Sequence, residues 1–92
     1  MEIYIVGHDG PEHNYIESLH QTYKGALKAW DDLRKELIKD AEEMVEFCKE
    51  DKHDLFSDTY KEMIEKLSCE DPEKIDNYPH ETPYIRKMEV KE

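Results

Sequence analysis

Residues 22–50, TYKGALKAWDDLRKELIKDAEEMVEFCKE, decide the fold. Apolar side chains recur through them at Ala26, Trp30, Leu33, Leu37, Ala41, Met44 and Cys48, in steps of three and four. That period lays them along one face of an α-helix, and Leu27, Ile38, Val45 and Phe47 widen the stripe. Thr22 offers an N-cap oxygen, and no proline interrupts the run. The sequence therefore predicts one helix from about Tyr23 to about Glu50, ~40 Å long. A strand of about six residues reaches only ~20 Å. Such a helix overshoots any sheet this chain can build, and its C-terminal half needs a different partner.

Working outward, Ile3-Tyr4-Ile5-Val6 is β-branched and aromatic and ends at Gly7. Apolar on both faces, it reads as the central strand of its sheet. Asp9-Gly10-Pro11 marks a turn, and Tyr15–Leu19 reads as a less apolar edge strand in a hairpin that sets His20 near Glu2. Beyond the long helix, Asp54 or Ser57 caps a second one, with Phe56, Tyr60, Met63, Ile64 and Leu67 as its stripe. It returns antiparallel along the far half of the first. Residues 70–83 contain Pro72, Pro79 and Pro83 and read as an irregular loop. Tyr84–Val90 reads as the last strand. The expected order is β-β-α-α-β. This is an α+β fold with a three-stranded antiparallel sheet packed by a long helix and a second antiparallel helix, and residues 1–92 form a single domain.

The 92 residues are 40% charged and 37% hydrophobic, with a formal net charge of −11. That balance opposes direct contact with nucleic acid, where Lys and Arg must neutralise phosphates, or with an anionic membrane surface. It favours a partner with a basic surface. Cys48 and Cys69 fall at no metal-ligand spacing and read as reduced core fillers. No stretch approaches a membrane span, and the N-terminal residues lack the pattern of a secretory signal. The expected location is cytoplasmic.

Two segments carry a family likeness. "IYIVGHDGPEHNYIESLHQTYKGALKAWDDL" and "PYIRKMEVKE" resemble a family of small phage and prophage proteins of β-β-α-β order. Val6-Gly7-His8 matches its first strand, Ala26-Leu27-Lys28-Ala29 its Ala-containing helix, and Tyr84–Val90 its closing strand. The resemblance implies a fold and a mobile-element setting, hence a host-cell cytoplasm. It carries no activity and no site residues. Residues 40–82 depart from the family pattern and read as an acidic helical insertion and loop within the domain.

Charge follows that division. Residues 1–39 hold seven acids and five bases, a net of −2; residues 40–92 hold seventeen acids and eight bases, a net of −9. The acids group as Asp40, Glu42, Glu43, Glu46, Glu50 and Asp51 on the helix extension, and as Glu70, Asp71, Glu73, Asp76 and Glu81 on the loop. Glu42, Glu46 and Glu50 stack at i, i+4, i+8, where like charges destabilise a helix by a few tenths of a kcal/mol each. Two readings compete for them: a solvated helix face, and a negative strip that mimics a phosphate backbone.

Catalytic patterns are not legible. The serines sit in no nucleophile elbow, and the three glycines build no phosphate loop. No carboxylate stands in an apolar setting that would raise its pKa. His8, Asp9, Glu12 and His13 lie close in sequence, but at most two histidines meet there, without a ligand spacing. The sequence gives no reason to expect an enzyme, a cofactor or a metal. Its expected partner surface is Asp40, Glu42, Glu43, Glu46, Glu50, Asp51, Glu70, Asp71, Glu73, Asp76 and Tyr78. The expected function is a non-enzymatic inhibitor that blocks a host nucleic-acid-binding protein. The alternative is an oligomerisation module, a helix-mediated homodimer burying Val45, Phe47 and Phe56.

Overall fold

A computed structural model describes residues 1–11, 13–50, 57–78 and 80–91, with backbone alone for Lys49 and Glu50. The element order is β1 (Glu2–Asp9), β2 (Asn14–His20), α1 (Tyr23–Glu50), α2 (Ser57–Leu67) and β3 (Thr82–Glu89). The sheet is antiparallel, with strand order β2-β1-β3. The doubly apolar first strand is thus central, and the β-β-α-α-β α+β fold expected from the sequence is the one observed.

Register corrects one detail of the hairpin. Val6 faces Ser18 while Gly7 faces Ile16, so Glu17 is an extra residue in β2, a β-bulge. His20 consequently lies opposite Tyr4 rather than near Glu2. Gly7 sits where the chain is tightest. A Cβ there would collide with the Tyr15 carbonyl oxygen and with the Tyr84 ring. Tyr84, opposite Gly7 on β3, lays its ring where a side chain is missing, the arrangement by which an aromatic shields a strand glycine.

Helix α1 starts where expected: Thr22 Oγ1 accepts from the Gly25 amide at 3.1 Å. Its first half crosses one face of the sheet. Val6, Ala26, Trp30, Leu33, Leu67 and Ile75 form the core, with Tyr4, Leu37 and Ile85 packed against it. Over 28 residues α1 rises ~42 Å, whereas each eight-residue strand spans only ~26 Å. The helix outruns the sheet, and the molecule is drawn out to 56 × 24 × 19 Å. Along the overhang Ala41, Val45 and Cys48 are buried, on the side where α2 returns. Met44 and Phe47, expected within the stripe, are 38% and 56% exposed. The approach of α2 selects Val45 over its apolar neighbours. Of the two caps expected for α2, Ser57 is its first residue and is buried; Asp54 lies outside the described residues.

One buried cation fastens α2 to α1. Arg34 is 5% exposed. Its Nη1 donates to the Leu67 carbonyl oxygen at 3.0 Å, and its Nη2 to Asp31 Oδ1 at 2.7 Å. The first bond satisfies a carbonyl that the end of α2 leaves without a helical partner, and a cation suits that end of the helix dipole. The guanidinium carbon lies 5.6 Å from the Trp30 ring centroid.

The hydrogen bonds from Arg34, then Lys35, hold the Asp31 carboxyl below its ordinary value of 3.8. With a depressed folded-state pKa, the unfolded chain binds more protons, so Asp31 stabilises the fold above about pH 4 and loses that contribution as pH falls through the folded value. Two outcomes are expected in urea titrations. Arg34→Leu costs about 1–3 kcal/mol, because it strands the Leu67 carbonyl, while Asp31 keeps Lys35. Asp31→Asn is destabilising near neutral pH, and its gap to wild type closes as pH drops from about 5 toward 2; a gap constant across that range would contradict the pairing. Gly7→Ala should cost more than ~3 kcal/mol, since both colliding groups belong to paired strands.

Candidate functional site

The acids expected to face a partner divide by their surroundings. Asp40, Glu42, Glu43 and Glu46 are exposed on the overhanging half of α1, hereafter the arm. The Glu50 side chain and Asp51 lie outside the described residues. Some acids of the body are paired: Asp31 with Arg34 and Lys35, Asp9 with Arg86, and Glu2 with Lys87, while Glu17 and Glu81 lie beside His8; Asp32, Glu36 and Glu89 have no cation within ion-pair distance among the described residues. In α2, Glu62 pairs with Lys66. Among the described residues no cation lies within ion-pair distance of Asp40, Glu42 or Glu43. Beside them, Lys39, Glu42, Glu43, Glu46 and Phe47 line a shallow groove. An aromatic ring more than half exposed, set among carboxylates, is the composition of an interface anchor with a charged rim.

The loop acids do not join that strip. Ile75 packs in the core with Trp30 and Leu33, which fixes the first half of the loop beside the body. Glu46 lies 13 residues beyond Leu33, ~20 Å further along α1. Glu70 and Glu73 are exposed. Asp71 and Asp76 have local work: Asp71 Oδ1 accepts from the Glu73 amide, and Asp76 Oδ1 from the Tyr78 amide, both at 2.9 Å. These are Asx turns, which shape the loop. Tyr78 is 68% exposed and borders a depression with Asp9, Pro11, Asp76 and His80. The set expected as one surface is thus two patches.

Between them lies a cleft of about 550 Å³. Leu37, Ala41 and Met44 of α1, Tyr60, Met63 and Leu67 of α2, Gly10, Pro11 and His13 of the β1–β2 turn, and Asn77, His80 and Glu81 contribute to its walls, together with Asp40. Its size and largely apolar lining are those of a ligand pocket. Asn77 in its wall is fully buried. Its Nδ2 donates to the Glu81 carbonyl at 2.9 Å, and its backbone amide donates to Thr82 Oγ1 at 3.0 Å. A carbonyl only accepts, so the amide orientation is fixed and Oδ1 is the atom without a partner among the described residues.

The histidines gather around carboxylates. His8 Nε2 lies 3.0 Å from Glu17 Oε1, and Nδ1 lies 3.1 Å from Glu81 Oε2, close enough for an ion pair but out of line for a hydrogen bond. His13 Nε2 stands 3.7 Å from Glu81 Oε1. His20 is at the far end of the hairpin, with Nε2 at 2.7 Å from Ser18 Oγ. Two histidines therefore meet at the turn, as the spacing implied, but their partners Glu17 and Glu81 come from other strands and edges. Among the described residues no group of three or more His, Cys, Asp or Glu is arranged to hold a metal ion, and no helix is long and apolar enough to cross a membrane. Cys48 and Cys69 are both free thiols.

Comparison with protein-family models, curated proteins and solved structures finds no match to this chain. The arm's orientation bears on the alternative of a helix-mediated dimer. Val45 is 8% exposed and committed to the molecule's own packing, Phe56 lies outside the described residues, and Phe47 alone of that trio is exposed. Val45→Ala should therefore cost about 1–2.5 kcal/mol in chemical denaturation, while Phe47→Ser stays within about 0.5 kcal/mol of wild type. Equal costs would place α2 on the wrong side of the arm.

Proposed function

We propose that this chain is a non-enzymatic binding protein of phage type. It docks the acidic arm on the basic, nucleic-acid-contacting surface of a host protein, such as a defence nuclease or RNA polymerase. The observation that carries the reading is a cluster: Asp40, Glu42 and Glu43 stand together on the arm with no cation within ion-pair distance among the described residues, beside the exposed Phe47. Stacking like charges costs helix stability, and α2 holds the arm in place despite that cost. Regularly spaced carboxylates on a rigid rod offer a groove built for phosphates what it is built to bind. Phe47 adds an apolar anchor at the centre of the charged rim.

Competition against DNA for such a target tests the reading. The chain should displace DNA, and its affinity should fall steeply between about 50 and 200 mM salt, as expected of interactions between exposed charges. Replacing Glu42, Glu43 and Glu46 together by Gln should weaken binding at least tenfold, or about 1.4 kcal/mol, while leaving the fold intact or slightly stabilised. Binding that ignores both salt and the triple substitution would leave the arm as solvated surface.

A further inference from the structure

The second face of the sheet presents a different chemistry. Val6, opposite Ser18 and Ile85, points under α1, so its neighbours Ile5 and Gly7 point away from it. Register places Leu19 opposite Ile5, Ile16 and Tyr84 opposite Gly7, and Met88 opposite Ile3 on this outer face. Ile16 is 64% exposed, Leu19 61% and Met88 48%. An antiparallel sheet with one face on a core ordinarily turns polar residues to water on the other. This one turns isoleucine, leucine and methionine outward from all three strands. A contiguous apolar patch of that kind marks an interaction surface.

We propose that this face is a homodimer interface, two copies stacking back to back through Ile3, Ile5, Ile16, Leu19 and Met88 with their helices outward. Charge argues for a second copy. The chain carries −11 and repels itself elsewhere, yet the charged side chains that the register puts on this face are Asp9 and Arg86, paired at 2.7 Å. Their sum is zero. A basic partner finds no counter-charge here, whereas an identical face meets no repulsion. Shape agrees. Tyr84 tiles the gap over Gly7, Arg86 stacks on its ring at 4.0 Å, and the Tyr84 hydroxyl donates to Asn14 Oδ1. Two such sheet faces pack against each other about a two-fold axis. Three strands about 4.8 Å apart and eight residues long give ~370 Å² in projection. With side-chain relief, two copies bury roughly 1,000 Å² in total, the lower bound of specific interfaces. The dimer is accordingly weak and concentration-dependent, and it leaves both arms free, so it stands independently of the arm's reading.

Sedimentation equilibrium of the full chain from about 1 µM to 1 mM tests this, a range that brackets a weak interface. The average mass should climb from monomer toward dimer, and added salt should strengthen association by screening the net charge. Ile16→Lys with Leu19→Lys should weaken the dimer at least tenfold. That variant changes the net charge from −11 to −9 (two added lysines), so lost association cannot come from a larger net charge. Met88→Lys on β3 is the second variant should the first not fold, and Phe47→Ser should leave association unchanged. A monomer at every concentration overturns the proposal and leaves the face to a different chain. A dimer that survives the lysines, or that weakens with salt, overturns it too.

Discussion

A buried guanidinium holds this molecule's two halves in register. Arg34 leaves the α1 surface between Trp30 and the end of α2, gives one nitrogen to the Leu67 carbonyl, and gives the other to Asp31. Desolvating a cation is unfavourable, and replacing a buried ion pair by apolar side chains is often no loss in stability. What the arrangement supplies is position. Leu67 is a core residue with no exposed surface, and tethering its carbonyl fixes where α2 stops. From that point the chain turns through Asp71–Lys74 and sends Ile75 back into the same core. The return of α2, the course of the loop and the cleft between them follow from one fixed helix end.

The same tether accounts for the arm. A helix that outruns its sheet has no strand to bury its second half against, and an isolated acidic segment of that length is a marginal helix in water. Here α2 packs along it, and Ala41, Val45 and Cys48 are buried. That frees the remaining face for adjacent carboxylates and an exposed Phe47. The fold therefore separates two surfaces of opposite character. One, on the arm, is charged and aromatic. The other, on the face of the sheet turned away from α1, is apolar and electrically neutral.

Much of this was legible in the residues. Local patterns located β1 as the central strand, α1 from Tyr23 to Glu50 and its Thr22 cap, because each rests on a short-range periodicity or a single capping oxygen. What escaped notice depends on contacts between distant segments. Arg34 completes a Trp30, Leu33, Arg34, Leu37 pattern at helical spacing, so its position was visible, but a charged residue there reads as solvated until α2 brings a carbonyl to it. The run Met44-Val45-Glu46-Phe47-Cys48 offers apolar groups around most of the helix, and only the direction of α2 decides that Val45 is inside. Ile75 stands alone between Lys74 and Asp76 and carries no periodicity. The Glu17 bulge shifts the hairpin without a compositional mark beyond the nearby Gly7. The cleft, drawn from four segments, has no sequence signature. How far the loop acids lie from the arm acids depends on the chain's path back to the body, which is not written in their composition.

The account's central claim is that carboxylates without a cation beside them cluster on the arm, around the exposed Phe47. The most direct measurement is an NMR titration of the full chain with a short oligo-arginine peptide, following backbone and glutamate side-chain resonances. The account predicts that shifts concentrate at Asp40–Phe47, at low peptide concentration, and vanish in high salt, while Asp9 and Asp31 stay near their free positions because Arg86, Arg34 and Lys35 are already in place. Shifts spread evenly over arm and body carboxylates would contradict it.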